Sequence, residues 1–412
     1  MKYVDRFVPH VVIAAVYTVY YRWFSLFVKP NEHPDERHHI TYVMDVVLGG
    51  ITPNYTPGVS AVYLEHPFLY YFLTGKFAAF FADPVVGMHV ANYGYGLLSV
   101  IVIFDFAKTI SGNAMRGLVA AVCAITVPYF VYLATGVNND NFATLLVFAT
   151  AAAAARYHAS CDAKWFNAAV AFVLLAGLVK ATAAIQAGMI LLPACYVALR
   201  SRGLKSIPET IISPMVALPL ALFCLYYATI VGIYGEPFPR PVNFYVMAKA
   251  QVPQAFMAEP MDIGRYLDKY ARDMLTQMSG IYSHTVYRYT QGYVNFWSLA
   301  YLVSVASCLV AITSARLRCV ALGLLGALVV FGLMHIFIMY RNHSATGYRG
   351  GIQFRYYLPV VQLMLAFSVS AILSLRMSSN IRVGLAILCM FAFFDHDGKR
   401  YMMPAFMKSR SQ

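Results

Sequence analysis

The chain has 412 residues, of which 60% are hydrophobic and only 12% charged, and its mean hydropathy is +0.61. A soluble domain of this length would need far more charge to cover its surface, so the composition excludes that class. The formal net charge of +13 would suit a nucleic-acid-binding protein, but the basic residues cluster between hydrophobic windows. That distribution is typical of cytoplasmic loops, and we expect no nucleic-acid partner.

Hydrophobic windows that could cross a bilayer recur along the chain, since about 20 apolar residues span about 30 Å of hydrocarbon. The first, residues 7–28, has no small-residue cleavage site after it, which favours an uncleaved anchor over a signal peptide. A block at 165–200, interrupted by Lys180, is interpreted as two spans. The other windows are residues 86–107, 117–135, 141–155, 207–233, 297–314, 319–340, 356–375 and 383–394. The prediction is an all-α polytopic membrane protein, with a single domain over residues 1–412.

The basic residues also predict which loops face which side. Clusters such as Arg200, Arg202 and Lys205 favour the cytoplasm. The extracytoplasmic side then receives the region around Lys180 and four loops, at residues 29–66, 136–140, 234–295 and 341–355. Residues 67–82 are apolar but short, and we interpret them as re-entrant or lying on the membrane surface.

The first outer loop concentrates titratable residues in the stretch NEHPDERHHI, residues 31–40. Asp35 could cap a short surface helix that ends at Gly49-Gly50, with Glu36 as a first-turn carboxylate favoured by the helix dipole. Alternatively, the two carboxylates could supply a general base, because proton abstraction needs an acceptor held within hydrogen-bond range. The sequence leaves both interpretations open.

The remaining outer segments add further charged and aromatic residues. Asn138 to Asn141 could cap a span, and a buried Lys180 must either reach the headgroups or meet an anion. The last loop carries three arginines on the side that should be poor in them, and guanidinium binds phosphate oxygens well. The candidates in these segments are Glu65, His66, Asp140, Lys180, Arg341, Arg349, Arg355 and Tyr356. An acid and several cations at the headgroup plane suggest chemistry on a lipid-phosphate-linked substrate.

The long outer loop has a Pro-rich first half, which cannot form a regular helix, and a second half with helical periodicity. Its apolar positions are Ile263, Leu267, Tyr270, Met274, Leu275 and Met278. This amphipathic helix could lie on the membrane surface or pack against the other loops. The isolated His335 is interpreted as a hydrogen-bonded core residue, and the seven cysteines indicate neither disulfides nor a metal site.

Five short motifs are spread over nearly the whole chain. They are Pro34-Asp35-Glu36 with His39, the His-Pro-x-x-Tyr-Tyr of residues 66–71, Asn139-Asp140, Lys180, and the Gln-x-Arg-Tyr-x-x-Pro of residues 353–359. In this order, the motifs resemble those of the polytopic GT-C glycosyltransferases, which include protein O-mannosyltransferases, lipid A aminoarabinose transferase and bacterial polyprenyl-phosphate-sugar transferases. Two departures stand out: Phe68 replaces a proline, and His89 and Asn92 stand where many members have an arginine before the asparagine.

The resemblance implies a GT-C-like bundle of about 11–13 transmembrane helices with extracytoplasmic juxtamembrane helices. It implies transfer of a sugar, with inversion, from a polyprenyl-phosphate donor to a hydroxyl of an envelope glycan, lipid or protein. Asp35 would be the general base and Glu36 would orient it or the acceptor. His66, Lys180, Arg341 and Arg355 would bind the donor phosphate. The implied location is the bacterial inner membrane, with a periplasmic active site among membrane lipids.

Two alternatives accompany this interpretation. Some relatives use a divalent metal ion, and Glu65, His284 and His343 could form an oxygen–nitrogen site, although no tight ligand spacing supports it and no cofactor is certain. The second function considered is a transporter or flippase of lipid-linked sugars. That class would need charged residues near the bilayer midplane and repeated halves, whereas the carboxylates here cluster at segment ends.

Overall fold

A computed structural model describes residues 4–28, 33, 35–49, 66–235, 237, 259–278, 281–282, 286–287, 291–347, 351–375 and 378–395. The first half contains helices α1 (Val4–Phe27), α2 (Glu36–Val47), α3 (Leu69–Ala78), α4 (Pro84–Ser111), α5 (Ala114–Ile125), α6 (Pro128–Ala134), α7 (Asn139–Ser160) and α8 (Ala163–Gly177). The second half contains α9 (Ala181–Arg202), α10 (Ser206–Ile212), α11 (Pro214–Tyr234), α12 (Ile263–Met278), α13 (Gln291–Ala311), α14 (Arg318–Thr346), α15 (Leu358–Leu373) and α16 (Ser379–Asp395).

Short 3-10 turns at Gly203–Lys205 and Phe354–Tyr356 and one small hairpin complete the described structure. The hairpin pairs β1 (Ile281–Tyr282) with β2 (Val286–Tyr287) in antiparallel register. The predicted all-α membrane class is confirmed. By length and hydropathy, Pro84–Ser111, Ala181–Lys205, Pro214–Tyr234 and Arg318–Ala345 could each cross a membrane, and five shorter apolar helices accompany them.

Proline positions explain where the helices differ from the predicted windows. The window 117–135 is two helices, because Pro128 begins α6 after a break at Val127. The window 207–233 is divided in the same way by Pro214. A proline lacks the N–H that a continuing helix needs but is well accommodated in a first turn. The block 165–200 forms two helices, as predicted, with Lys180 at the start of α9.

Helix α7 forms the centre of the bundle and packs against α4, α8 and α9. Its alanine run is buried almost all round. Small side chains allow helix backbones to approach closely. Inside a membrane, where the hydrophobic effect does not drive helices together, such close packing stabilises the bundle. This close packing fixes the position of the first turn of α7, where Asp140 lies.

Helix α3 is too short to cross the membrane, as predicted for residues 67–82, because its ten residues rise only about 15 Å. It packs beside α2, with the rings of Tyr42 and Tyr71 stacked at 3.6 Å. A Cβ on Gly75 would lie 2.8 Å from a methyl carbon of Val46, so glycine permits this approach. The pair α2–α3 therefore forms one rigid unit beside the start of α4.

The amphipathic helix is present as α12, and both interpretations of it are partly right. Tyr266, Tyr270 and Met274 are buried, and α12 packs against α13 and α14. Ile263, Leu267 and Leu275 stay more than 40% exposed, as a helix lying on a membrane surface requires. The Pro-rich half of this loop lies largely outside the described residues.

Candidate active site

Asp35 occupies the N-cap position of α2, but its side chain does not cap the helix. The residue adopts the left-handed conformation, with φ 60° and ψ 10°, which aspartate tolerates better than most residues. Its carboxylate instead accepts a hydrogen bond of 2.6 Å from Nη2 of Arg355. The capping interpretation of this side chain is therefore wrong.

Two buried cations and a second carboxylate complete a cluster that we call the charge quartet: Asp35, Asp140, Lys180 and Arg355. Lys180 stands in the break between α8 and α9, and its Nζ donates to Oδ1 of Asp140 at 2.5 Å. Nε of Arg355 lies 3.7 Å from Oδ2 of Asp140. The exposed side-chain fractions are 4% for Arg355 and 8% for both Lys180 and Asp140, against 36% for Asp35. Four distant segments thus meet in a cluster with no net charge.

The aromatic ring of Tyr356 lies beside both cations. Its centroid is 5.0 Å from Nζ of Lys180 and 5.1 Å from Cζ of Arg355, a separation at which a ring face attracts cations. The side-chain amide of Gln186 donates to the carbonyl oxygen of Tyr356 and fixes the backbone there. The ring keeps the two positive charges side by side.

The Asp35–Arg355 pair controls the charge state of both groups. Burial alone would raise the pKa of Asp35, but the charge and hydrogen bond of Arg355 lower it to about 2. Burial opposes the charge on Arg355, but Tyr356 and the two carboxylates raise its pKa well above the usual range. Both groups are therefore ionised at neutral pH.

Two histidines next to the quartet are neutral. Burial, together with the nearby cations, lowers the pKa of His39 to about 3 and that of His66 well below its usual range. The imidazole rings are 6.0 Å apart, and Nδ1 of His39 lies 2.8 Å from the hydroxyl of Tyr71. At neutral pH, His66 could therefore offer a hydrogen bond to an anion but no positive charge.

Glu36 is fully buried and is bound by the protein itself. Its carboxylate lies 3.1 Å from Nδ1 of His33 and accepts a 2.9 Å hydrogen bond from the backbone N–H of Val137. Burial would raise its pKa, but these hydrogen bonds lower it. Gly136 packs against His33, since an added Cβ would lie 2.3 Å from Cγ of that ring. Glu36 thereby ties α2 to the turn before α7 and holds Asp35 in place.

Asparagines position the acid at the start of α7. The side chain of Asn138 accepts from the backbone N–H of Asp140, so capping is the correct interpretation of Asn138. The side-chain oxygen of Asn92 accepts a 2.8 Å bond from the amide of Asn141. Because Asn138 supplies the cap, the carboxylate of Asp140 is available to Lys180.

The sequence does not indicate several residues that support the site: His33, Thr135, Gly136 and Val137. His33 lies in the titratable stretch 31–40, but nothing in the sequence indicates that its ring would contact Gly136 and Thr135. Asn92 was noticed only because it departs from the family pattern.

His335 is a hydrogen-bonded core residue, as predicted. Its Nδ1 lies 2.7 Å from the hydroxyl of Tyr270 and 3.1 Å from that of Tyr357, and its Nε2 lies 3.2 Å from the carbonyl oxygen of Gly351. All seven cysteines are free.

Of the other predicted candidates, only Arg341 lies within the described residues. Arg341 is exposed near the end of α14 and forms no ion pair with the quartet's carboxylates in the part of the chain that the structure describes. Glu65, His284 and Arg349 lie outside the described residues.

Of the three residues considered for a divalent metal ion, only His343 lies within the described part of the chain. Nε2 of His343 accepts a 3.1 Å hydrogen bond from the backbone N–H of Met261, so this nitrogen is already used. Within the described ranges, no group of three His, Cys, Asp or Glu residues could hold a metal ion.

The chain is similar to one protein family and to several solved membrane-protein structures. Residues 65–227 match the family described as dolichyl-phosphate-mannose-protein mannosyltransferase, and no curated protein matches the chain. ArnT from Cupriavidus metallidurans bound to undecaprenyl phosphate aligns with a TM-score of 0.58 at 16% identity, over 92% of this chain and 62% of that one. Its apo state gives the same score and identity, over 94% and 63%. The archaeal oligosaccharyltransferase AglB from Archaeoglobus fulgidus, in complex with an inhibitory peptide and a dolichol-phosphate, aligns with a TM-score of 0.49 at 12% identity, over 97% and 56%.

This chain spans less than two thirds of the length of the ArnT chains that it resembles. The alignments nevertheless extend over nearly all of it, and the matched family segment contains both Asp140 and Lys180. The fold therefore resembles that of ArnT, as the sequence resemblance predicted, and residues 65–227 match the mannosyltransferase family.

Proposed function

We propose that the chain is a membrane glycosyltransferase that moves a sugar from a polyprenyl-phosphate donor to an acceptor hydroxyl, with inversion. The observation that carries the proposal is the charge quartet, in which a partly exposed carboxylate faces a buried guanidinium next to a buried ammonium. The fold and the family match support the same chemistry. The positive-inside distribution supports a periplasmic site in an inner membrane.

In this proposal the donor phosphate binds between Arg355 and Lys180. Fixed cations at a low-dielectric boundary stabilise the charge that develops on a leaving phosphate. Because both cations are already paired with carboxylates, an incoming phosphate must take over part of the bonding now given to Asp35 or Asp140. Asp35 is the carboxylate to yield, since its side chain is 36% exposed whereas that of Asp140 is only 8% exposed.

Displacement of Asp35 from Arg355 prepares it to act as a base. A carboxylate paired at 2.6 Å with a guanidinium is a weak proton acceptor, because the pairing holds its pKa at about 2. Once a phosphate replaces Asp35 as the partner of the Arg355 guanidinium, the pKa of Asp35 rises because that pairing is lost. Phosphate binding thus converts a stable ion pair into a general base near the anomeric carbon.

The reaction then balances as follows. The acceptor hydroxyl gives its proton to Asp35 while its oxygen bonds to the anomeric carbon, from the face opposite the phosphate. The bond between that carbon and the phosphate oxygen breaks, and its electron pair stays on the polyprenyl phosphate. Attack from the opposite face inverts the configuration.

The surrounding residues serve positioning. Glu36 keeps Asp35 in place at the N-terminal end of α2 through its bonds to His33 and Val137. His66 and Tyr356 line the phosphate side of the quartet, with His66 donating a hydrogen bond as a neutral ring. Arg341 is expected at the rim of the donor site, and the polyprenyl tail among the apolar spans and membrane lipid.

The direct test compares the host envelope with the wild-type protein, with the gene deleted, and with Asp35→Asn. Mass spectrometry of envelope glycans, lipids and proteins should show one attached sugar that is present only with the wild type. The molecule that carries this sugar identifies the acceptor. Identical sugar profiles in all three strains would refute the proposal. Movement of a lipid-linked sugar across proteoliposomes without any transfer would instead indicate a flippase.

A further inference from the structure

The segment that carries Arg355 is held at almost every residue. His335 contacts the carbonyl of Gly351, Gln186 donates to that of Tyr356, and the hydroxyl of Tyr357 lies 2.6 Å from that of Tyr270. Such fixation means that the guanidinium is presented by a rigid backbone. A contact that holds this backbone can therefore change what Arg355 binds.

Gln277, in the last turn of α12, makes the most specific of these contacts. Its Nε2 donates a 2.6 Å hydrogen bond to the carbonyl oxygen of Ile352, and its Oε1 accepts a 3.0 Å bond from the N–H of Phe354. The residue between them, Gln353, is extended, so these two backbone groups point to the same side. The amide of Gln277 therefore pairs with this segment as a neighbouring strand would.

An amide side chain is needed for this arrangement. Only asparagine and glutamine combine an N–H donor with a carbonyl acceptor on one planar group. Ionised glutamate could accept from the N–H of Phe354 but could not donate to the carbonyl of Ile352, and leucine could do neither.

Tyr270 provides a second contact from the same helix. Its hydroxyl is within hydrogen-bond distance of both Tyr357 and His335. Helix α12 therefore contacts residues 352–357 on both sides of Arg355. The stripe of α12 next to Tyr270 exposes Ile263, Leu267 and Leu275. The helix thus joins an exposed apolar surface to the backbone of the phosphate-binding arginine.

We propose that Gln277 is a positioning residue for Arg355, with Tyr270 as its second support, and that α12 sets the affinity of the site for the donor's phosphate. This inference rests on the proposed function, since it assumes that Arg355 binds a polyprenyl phosphate. Gln277 touches no reacting group and acts only through the backbone of residues 352–354.

The experiment measures the Kd of undecaprenyl phosphate for the full chain in nanodiscs, using only monodisperse folded protein. Gln277→Leu should weaken binding by about tenfold to 100-fold, since small misplacements of a binding group have effects of that size. Gln277→Glu, which keeps the size and one hydrogen bond, should lie between Leu and the wild type. Asp268→Asn, an exposed change on the same helix, is the matched control and should leave Kd unchanged.

A double-mutant cycle separates positioning from general destabilisation. If Gln277 acts through Arg355, then Gln277→Leu should weaken binding much less in an Arg355→Lys background than in the wild type. Equal fold-changes in both backgrounds, or an unchanged Kd for Gln277→Leu and Gln277→Glu, would overturn the inference while leaving the proposed function intact. Failure of the wild type to bind undecaprenyl phosphate would overturn both.

Discussion

Replacing Asp35 by asparagine should affect catalysis and phosphate binding in opposite directions. The variant keeps the side-chain size but removes the proton acceptor, and the loss of a general base lowers turnover by about 10²–10⁴-fold. In the same variant Arg355 loses its partner at 2.6 Å and can bond fully to phosphate. We therefore expect undecaprenyl phosphate to bind more tightly than in the wild type.

The size of that gain follows from the pair that must be broken. A hydrogen bond to a charged group contributes about 1.5–3 kcal/mol net, and the lower end applies because Asp35 is 36% exposed and water screens it. Since about 1.4 kcal/mol corresponds to a tenfold change in Kd, binding should tighten about tenfold. A simple charge count agrees: the quartet changes from zero to one net positive charge.

The assay is a titration of nanodisc-embedded protein with undecaprenyl phosphate, paired with a sugar-transfer measurement on the same preparations. Asp45→Asn, on the same helix, serves as the matched control. Wild-type turnover by Asp35→Asn would refute its role as base. Weaker phosphate binding by that variant would refute the exchange of Arg355 between carboxylate and phosphate.

Three further predictions concern stability. Asp140→Asn should lower the free energy of unfolding by about 3–5 kcal/mol, because it leaves the ammonium of Lys180 buried without its counter-charge. Adding Lys180→Met should recover most of this stability, as measured by thermal denaturation. Gly136→Ala should cost about 1–3 kcal/mol and lower sugar transfer, because its Cβ would lie 2.3 Å from Cγ of His33. Burial lowers the pKa of His39 from an ordinary 6.5 to about 3 in the folded protein, so the unfolded chain binds more protons between these values. The melting temperature should therefore fall as the pH drops from 6.5 towards 3. His39→Gln should make that profile less steep but not flat, because the pKa of His66 is lowered as well.

Each of these changes has a matched control. Asp268→Asn alters an exposed pair, and Gly94→Ala adds a methyl group into open space. His38→Gln changes an exposed histidine on the same helix as His39. Equal melting temperatures for each variant and its control, or a pH profile that His39→Gln leaves unchanged, would contradict the corresponding structural argument.

The sequence predicted the members of the charge quartet but not how they pair. Charged residues at the ends of apolar windows must gather on one side of the membrane, so loop orientation alone brought Asp35, Asp140, Lys180 and Arg355 to one face. Pairing depends on side-chain directions and on the tilt of helices that are far apart in sequence. Side-chain direction and helix tilt are properties of the packed bundle. From the sequence, a helix cap was therefore as good an interpretation of Asp35 as a general base.

The supporting contacts were less predictable still. Gln277 bonds to backbone groups about 75 residues away, and backbone groups are present at every position, so no residue pattern indicates the match. Glu36 is similar, because its partner at Val137 is again a backbone N–H. Breaks at Pro128 and Pro214, in contrast, could have been anticipated from proline chemistry, but the hydropathy of the windows obscured them.

Under the proposed function, the zero net charge of the charge quartet affects how fast the product is released. The donor is a phosphodiester with one negative charge, whereas the released polyprenyl phosphate is a monoester with a second pKa near neutrality and carries more charge. A site with two unpaired cations would hold that product more tightly than the donor and so slow its release. Asp35 and Asp140 weaken product binding, because each carboxylate can pair again with its cation as the phosphate leaves. The tighter product binding expected for Asp35→Asn is the measurable form of this argument, and it makes the same aspartate responsible both for starting the reaction and for ending it.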